Sequence, residues 1–150
     1  MVRAERKKNW DEKLDIVKLS YNRAKIHPTF ASDFYSHLFF LSPKIKNYFK
    51  NTKFEHQHKA LMFGLNYLIG YLDEKQNDGP NKVQVLRLAR THSAFGLKIH
   101  PRDYYYWIEA LIMTLKDADP KWENDLQYYW REVIFFPISF MITQYFIDDH

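Results

Sequence analysis

The chain has no cysteine, only four glycines among 150 residues, and no apolar run of membrane-spanning length. Each shortage closes off a class of function. Without thiols there is no disulfide framework, zinc–thiolate site, iron–sulfur cluster or cysteine nucleophile, so any metal is held by nitrogen or oxygen. The scarcity of glycine leaves neither tight hairpin turns nor a phosphate-cradling loop. Carboxylates such as Asp33, Glu55 and Glu109 are scattered and form no acid–base pair, and there is no Ser-His-Asp elbow. Met1 to Trp10 lacks the apolar centre of a signal peptide, so the sequence reads as that of a soluble, cytoplasmic protein without a membrane partner. Part of the net charge of +4 sits in Arg3, Arg6, Lys7 and Lys8, which reads as a solvated helix start. No basic stripe interleaved with exposed aromatics points to nucleic acid.

Aromatic residues, by contrast, make up 18% of the chain. That surplus can line a cavity for a large flat apolar ligand as well as fill a core. Apolar residues recur at helical spacing nearly throughout, which predicts one all-α domain over residues 1–150. A first helix is expected from about Trp10 to Ala24, ending near Ile26-His27-Pro28 because the residue before proline is pushed from helical dihedrals. Pro28 then suits the first turn of a second helix carrying Phe30, Phe34, Tyr35, Leu38 and Phe39. Ser42-Pro43 opens a short third segment that ends at Tyr48-Phe49. A fourth helix, about Lys53 to Asp73, carries Gln57, Leu61, Leu65, Leu68 and Leu72 along one stripe, and Glu74 to Asn81 is a loop. After the break at His100-Pro101 a helix spans Arg102 to Lys116. Asp119-Pro120 is expected to cap and start the last one, to about Phe146, with a kink or a lost hydrogen bond at Pro137.

Between these lies Val83 to Leu97, where Val85, Leu88, Ala89 and His92 fall at i, i+3, i+4 and i+7. The imidazole therefore shares the apolar stripe of a helix and needs a partner. Two readings stand: a core histidine bonded to a neighbouring carbonyl, or a neutral ring nitrogen that ligates a metal.

Three stretches carry a resemblance that bears on this choice. Phe34-Tyr35-Ser36-His37-Leu38-Phe39, followed by Pro43 and Tyr48-Phe49, resembles the F-Y-x-x-L-F…P…x-F run of bacterial haemoglobins and the globin domain of flavohaemoglobins. Gln57-His58-Lys59-Ala60-Leu61 is similar to the start of their distal helix, and Leu88 to Leu97 to their proximal segment. The resemblance implies a globin fold of about seven to eight helices around a haem b pocket. It implies His92 as the proximal iron ligand, its other nitrogen bonded within its own helix or to a neighbour. Phe49, Leu61, Leu88 and Leu97 would contact the haem, with Phe49 wedging it. Tyr35, Gln57 and Leu61 would face the gaseous ligand, a hydroxyl and an amide donating to the negative charge on its outer atom. The segment between Phe49 and Gln57 is short for this family, and a shift of one position would bring His56 or His58 over the iron as a sixth ligand. His27, His37, His100 and His150 read as helix-end or solvated histidines.

Some features depart from the family. These 150 residues carry no reductase, and where a glutamate partner of the proximal histidine is expected the chain has Gln144-Tyr145, although Tyr104 can stand for the accompanying tyrosine. Lack of a carboxylate partner argues against peroxidase-like chemistry. The resemblance thus implies reversible dioxygen binding for storage, transport or scavenging. Its alternatives are nitric oxide dioxygenation with an external reductase, a haem-based gas sensor, and a haem-free protein-binding module. Dioxygen, nitric oxide and carbon monoxide are the implied ligands, and Tyr105, Tyr106, Tyr128 and Tyr129 are candidates for a homodimer face.

Overall fold

Capping signals set where the helices start. The computed structural model describes residues 7–73, 79–92 and 99–148, and among these every regular element is helical. Helix α1 (Trp10–Ala24) opens at Asn9, whose Oδ1 accepts the Glu12 N–H at 2.9 Å, with Asp11 and Glu12 suiting the positive end of the helix. Helix α2 (Phe30–Leu41) leads into a 3-10 helix (Pro43–Phe49), then α3 (Phe54–Gly70), α4 (Pro80–His92), α5 (Pro101–Ala118) and α6 (Leu126–Asp148). At α5, the His100 ring accepts the Arg102 N–H while the Asp103 carboxylate accepts the His100 N–H, a reciprocal cap ahead of Pro101. No helix among the described residues is long and apolar enough to cross a membrane.

Two helix starts differ from expectation. Pro28 does not lie inside α2: the Phe30 N–H closes a turn onto His27 O at 3.1 Å, and the helix begins only after Thr29. Asp119-Pro120 does not start α6. Asp119 instead ends α5, its N–H bonded to Leu115 O, and its carboxylate is drawn inward. Arg23 Nε donates to Asp119 Oδ1 at 2.7 Å and Arg23 Nη2 to Oδ2 at 2.9 Å, while Ser20 Oγ donates to Oδ2 at 2.7 Å. Asp119 Oδ1 also accepts the Lys121 N–H at 2.9 Å, which closes a local turn, and further turns carry the chain to Leu126. Pro137 is fully buried within α6, which runs through it as one helix; the proline has no N–H for the Val133 carbonyl.

Helix α2 packs on α5, α1 and α4 pack on α6, and α3 lies against α4. Phe30, Phe34, Leu65, Leu111, Leu115, Trp130 and Ile134 form the fully buried centre. The Trp130 indole N–H reaches Ser20 Oγ at 3.0 Å, which satisfies the one polar atom of the largest core side chain. These contacts leave the inner faces of α2, α3, α4, α5 and α6 turned on a common space.

Candidate functional site

That space is a cavity of about 440 Å³, within the range of small-molecule and cofactor sites. Most of its wall is apolar: Leu38 from α2, Ile45 from the 3-10 helix, Leu61, Leu65 and Leu68 from α3, Leu88 from α4, and Trp107, Ile138 and Met141 from α5 and α6. A few polar groups reach it, among them His92, Tyr35, Gln57 and Tyr104.

His92 lies on the inner stripe of α4 beside Val85 and Ala89, both fully buried. Its Nδ1 is 2.7 Å from Leu88 O. A carbonyl can only accept, so Nδ1 carries the proton and Nε2 keeps a bare lone pair. No group among the described residues is bonded to Nε2. Burial pushes the imidazole below its ordinary pKa, with the Leu88 bond pulling the other way, so the ring is neutral near pH 7. A neutral imidazole with one nitrogen anchored and the other free in an apolar slot has the form of a metal ligand.

Across α2 and α3, Gln57 Nε2 donates to the Tyr35 hydroxyl oxygen at 2.8 Å. The reverse contact, from the hydroxyl to Gln57 O, is stretched to 3.5 Å, too long to hold the Tyr35 proton. Burial raises the Tyr35 phenol to about 12 although the Gln57 bond lowers it. Tyr35 packs edge-on to Phe34 and Phe49 and lies parallel to the His58 ring at 5.7 Å.

The cavity thus brings together Tyr35, Phe49, Gln57, Leu61, Leu88 and His92 from four elements. Leu97 lies outside the described residues. His56 is exposed and His58 is occupied with Tyr35 and Phe54; neither lines the cavity. His27 contacts Thr29, His37 is 3.6 Å from Asp117, and His100 caps α5; His150 is outside the described residues. Tyr104 is buried and lines the cavity, its phenol raised by burial and by the Asp103 charge. Tyr145 sits instead against the His100 ring. Trp107, Ile138 and Met141 were not legible as site residues: they sit on apolar helix stripes, and a stripe does not tell core from cavity wall.

The wall suits a mostly apolar group that carries a metal able to take one imidazole nitrogen. Among the described residues that line the cavity, imidazole is the nitrogen donor with a free lone pair, no cluster of three or more ligating side chains exists, and Gly64 leaves the slot between α3 and Leu88 without a side chain. A Cβ at Gly64 would meet only Leu88 Cδ1, at 4.0 Å, so any longer side chain there would enter the slot.

The family model described as Globin matches residues 32–135. A crystal structure of protein PA3967 from Pseudomonas aeruginosa PAO1, described as structurally highly homologous to a human hemoglobin, is similar with a TM-score of 0.82 at 28% identity. The match covers 89% of this chain and 98% of that one. No curated protein matches the chain.

Proposed function

The chain belongs to the globin family, whose members bind haem and diatomic gases, and from that premise we propose that residues 1–150 form one globin domain for reversible dioxygen binding. Haem b, held through His92, supplies when bound a ferrous centre that takes up dioxygen, carbon monoxide or nitric oxide. The observation that carries this reading is the free Nε2 of a half-buried, neutral histidine in the same apolar cavity as the Tyr35–Gln57 pair.

His92 orients. Its Nδ1–H bond to Leu88 O fixes the ring and leaves Nε2 as the donor atom. The partner is a neutral carbonyl in the same helix, so His92 lacks the charge that would favour oxygen–oxygen cleavage, which supports carriage over peroxidase-like chemistry. Phe49, Leu61 and Leu88 line the cavity and would hold the macrocycle by contact and exclude water.

Tyr35 donates. Its oxygen already accepts the Gln57 amide, and its own proton remains for an acceptor inside the cavity. The phenol stays protonated throughout the physiological range because its pKa lies near 12. Gln57 holds Tyr35 in place and lends it polarisation, and in a dry cavity such a donor slows ligand release.

The test is the visible spectrum of the haem-loaded protein, ferric and ferrous, with His92→Ala and Tyr35→Phe. A five-coordinate ferrous spectrum that shifts reversibly with dioxygen is expected. His92→Ala should lose haem readily, and Tyr35→Phe should release dioxygen about tenfold faster, the equivalent of one hydrogen bond. Failure to take up haem would sink the reading, and a six-coordinate ferrous spectrum abolished by His56→Ala or His58→Ala would replace it.

A further inference from the structure

The cavity wall is not equally deep throughout. Leu65 and Ile138 are buried, whereas Thr52, Ile99 and Asp103 are half-buried and Tyr48 is exposed, so the cavity meets solvent between the 3-10 helix and the start of α5. One bond crosses that opening. The Tyr48 hydroxyl donates to Asp103 Oδ2 at 2.9 Å, and among the described residues no other hydrogen bond or ion pair joins the 3-10 helix to α5. Its two ends differ in freedom. Asp103 Oδ2 also accepts the His100 N–H at 3.2 Å, so the carboxylate cannot swing aside without uncapping α5. The 3-10 helix is short, its internal bonds have poorer geometry than those of an α-helix, and it packs on α2 through buried Ile45 and through Phe49 against Phe39. Once Tyr48 lets go, this segment is free to tilt on α2 and carry Phe49 and Thr52 away from the cavity. Tyr48 keeps its proton for the bond: partial burial, the bond itself and the Asp103 charge raise the phenol above its ordinary pKa, against smaller opposite pulls from the His100 N–H and Arg102.

We propose that the Tyr48–Asp103 bond is a strap across the mouth of the cavity, which sets how fast a flat aromatic occupant enters and leaves. Tyr35 keeps a proton for the cavity; Tyr48 does not, because its proton is spent within the wall. A bond between two parts of the wall adds to the barrier for passage in both directions and leaves the affinity alone. Tyr48 is thus a positioning residue, acting through the segment that carries Phe49, and touches no occupant through its hydroxyl. The strap belongs to the cavity whatever fills it; that haem is the occupant rests on the haem-binding reading.

The experiment measures uptake and release of two probes by stopped flow. One is haem, its release from the loaded chain followed by transfer to apomyoglobin; the other is the aromatic fluorophore 1-anilinonaphthalene-8-sulfonate, with the haem-free chain. Tyr48→Phe, Asp103→Ala and the double variant are compared with Tyr105→Phe, a control on the exposed side of α5. Tyr48→Phe should raise both rates of each probe about tenfold, the equivalent of one bond to a charged group, at unchanged affinity, and the control should match wild type. The double variant should be no faster than the faster single variant, because both remove the same bond. Melting curves report any loss of the α5 cap in Asp103→Ala, and Tyr48→Phe, which keeps the ring, decides alone if that variant does not fold. Unchanged rates, faster release without faster uptake, or single effects that multiply in the double variant overturn the proposal. Faster passage of the fluorophore in Tyr48→Phe of a chain that takes up no haem keeps the strap and sinks the haem reading; haem passage at wild-type rates in Tyr48→Phe does the reverse.

Discussion

At the scale of single residues, the site depends on which proton is already committed. Tyr35 and Gln57 look interchangeable as donors, yet the 2.8 Å bond runs from amide to phenol oxygen, so the phenol proton is the free one. Gln57→Leu should therefore speed ligand release less than Tyr35→Phe does, and stopped-flow release rates would show the ranking. Equal or reversed effects would mean that Gln57 donates directly. Burial of the phenol also has a measurable signature. Its pKa is about 12 in the folded protein against an ordinary value of 10.0. The unfolded chain loses this proton first, so the stabilisation from keeping Tyr35 neutral is complete below pH 10 and lost as pH rises toward 12. The full loss is about 3 kcal/mol for a shift of this size. Urea titrations from pH 9 to 12 should show a shallower decline for Tyr35→Phe than for wild type. Tyr21, also raised to about 12 by burial, supplies part of the decline that remains.

At the scale of helices, the buried polar chain from Trp130 through Ser20 to Asp119 and Arg23 fastens α1 to both α5 and α6. Burial alone would raise the Asp119 carboxyl, but Arg23, the Lys121 N–H and Ser20 together hold it below the usual carboxylate range. Its contribution is present above the ordinary carboxylate pKa and fades as pH falls through the depressed value. Asp119→Ala strands Ser20 and the half-covered Arg23, so denaturant unfolding at pH 7 should show a loss of about 2 kcal/mol, with a smaller loss at pH 3. The same residue marks where reading by sequence failed. Asp-Pro is a sound helix-start signal locally, and a partner 96 positions away overrode it. The bounds of α1, the inner stripe of α4 and the break at His100-Pro101 were legible because local capping and period decide them. Gln57 as against its histidine neighbours was not: adjacent helical positions differ by about a quarter turn, and only packing of α3 on α2 fixes which one faces inward.

At the scale of the whole molecule, the fold keeps a cavity that its own side chains do not fill, and apolar cavity volume costs stability. The two described glycines of α3 contribute differently. Gly70 lets the end of α3 approach Asn81 at the start of α4, where a Cβ would collide with the Asn81 side chain. Gly64 faces only Leu88 Cδ1 at 4.0 Å, so nothing in the packing requires glycine there except the slot itself. Gly64→Leu should therefore separate folding from function. Without haem it should stabilise the protein by about 1 kcal/mol, because leucine outranks glycine in a helix interior and fills apolar space. With haem the order should reverse: ligand binding to the native state raises wild-type stability by mass action, and the filled slot should lower affinity at least tenfold. Melting curves with and without haem would check both arms. A variant less stable without haem, yet equally stabilised by it, would mean that Gly64 serves helix packing and that the macrocycle lies elsewhere.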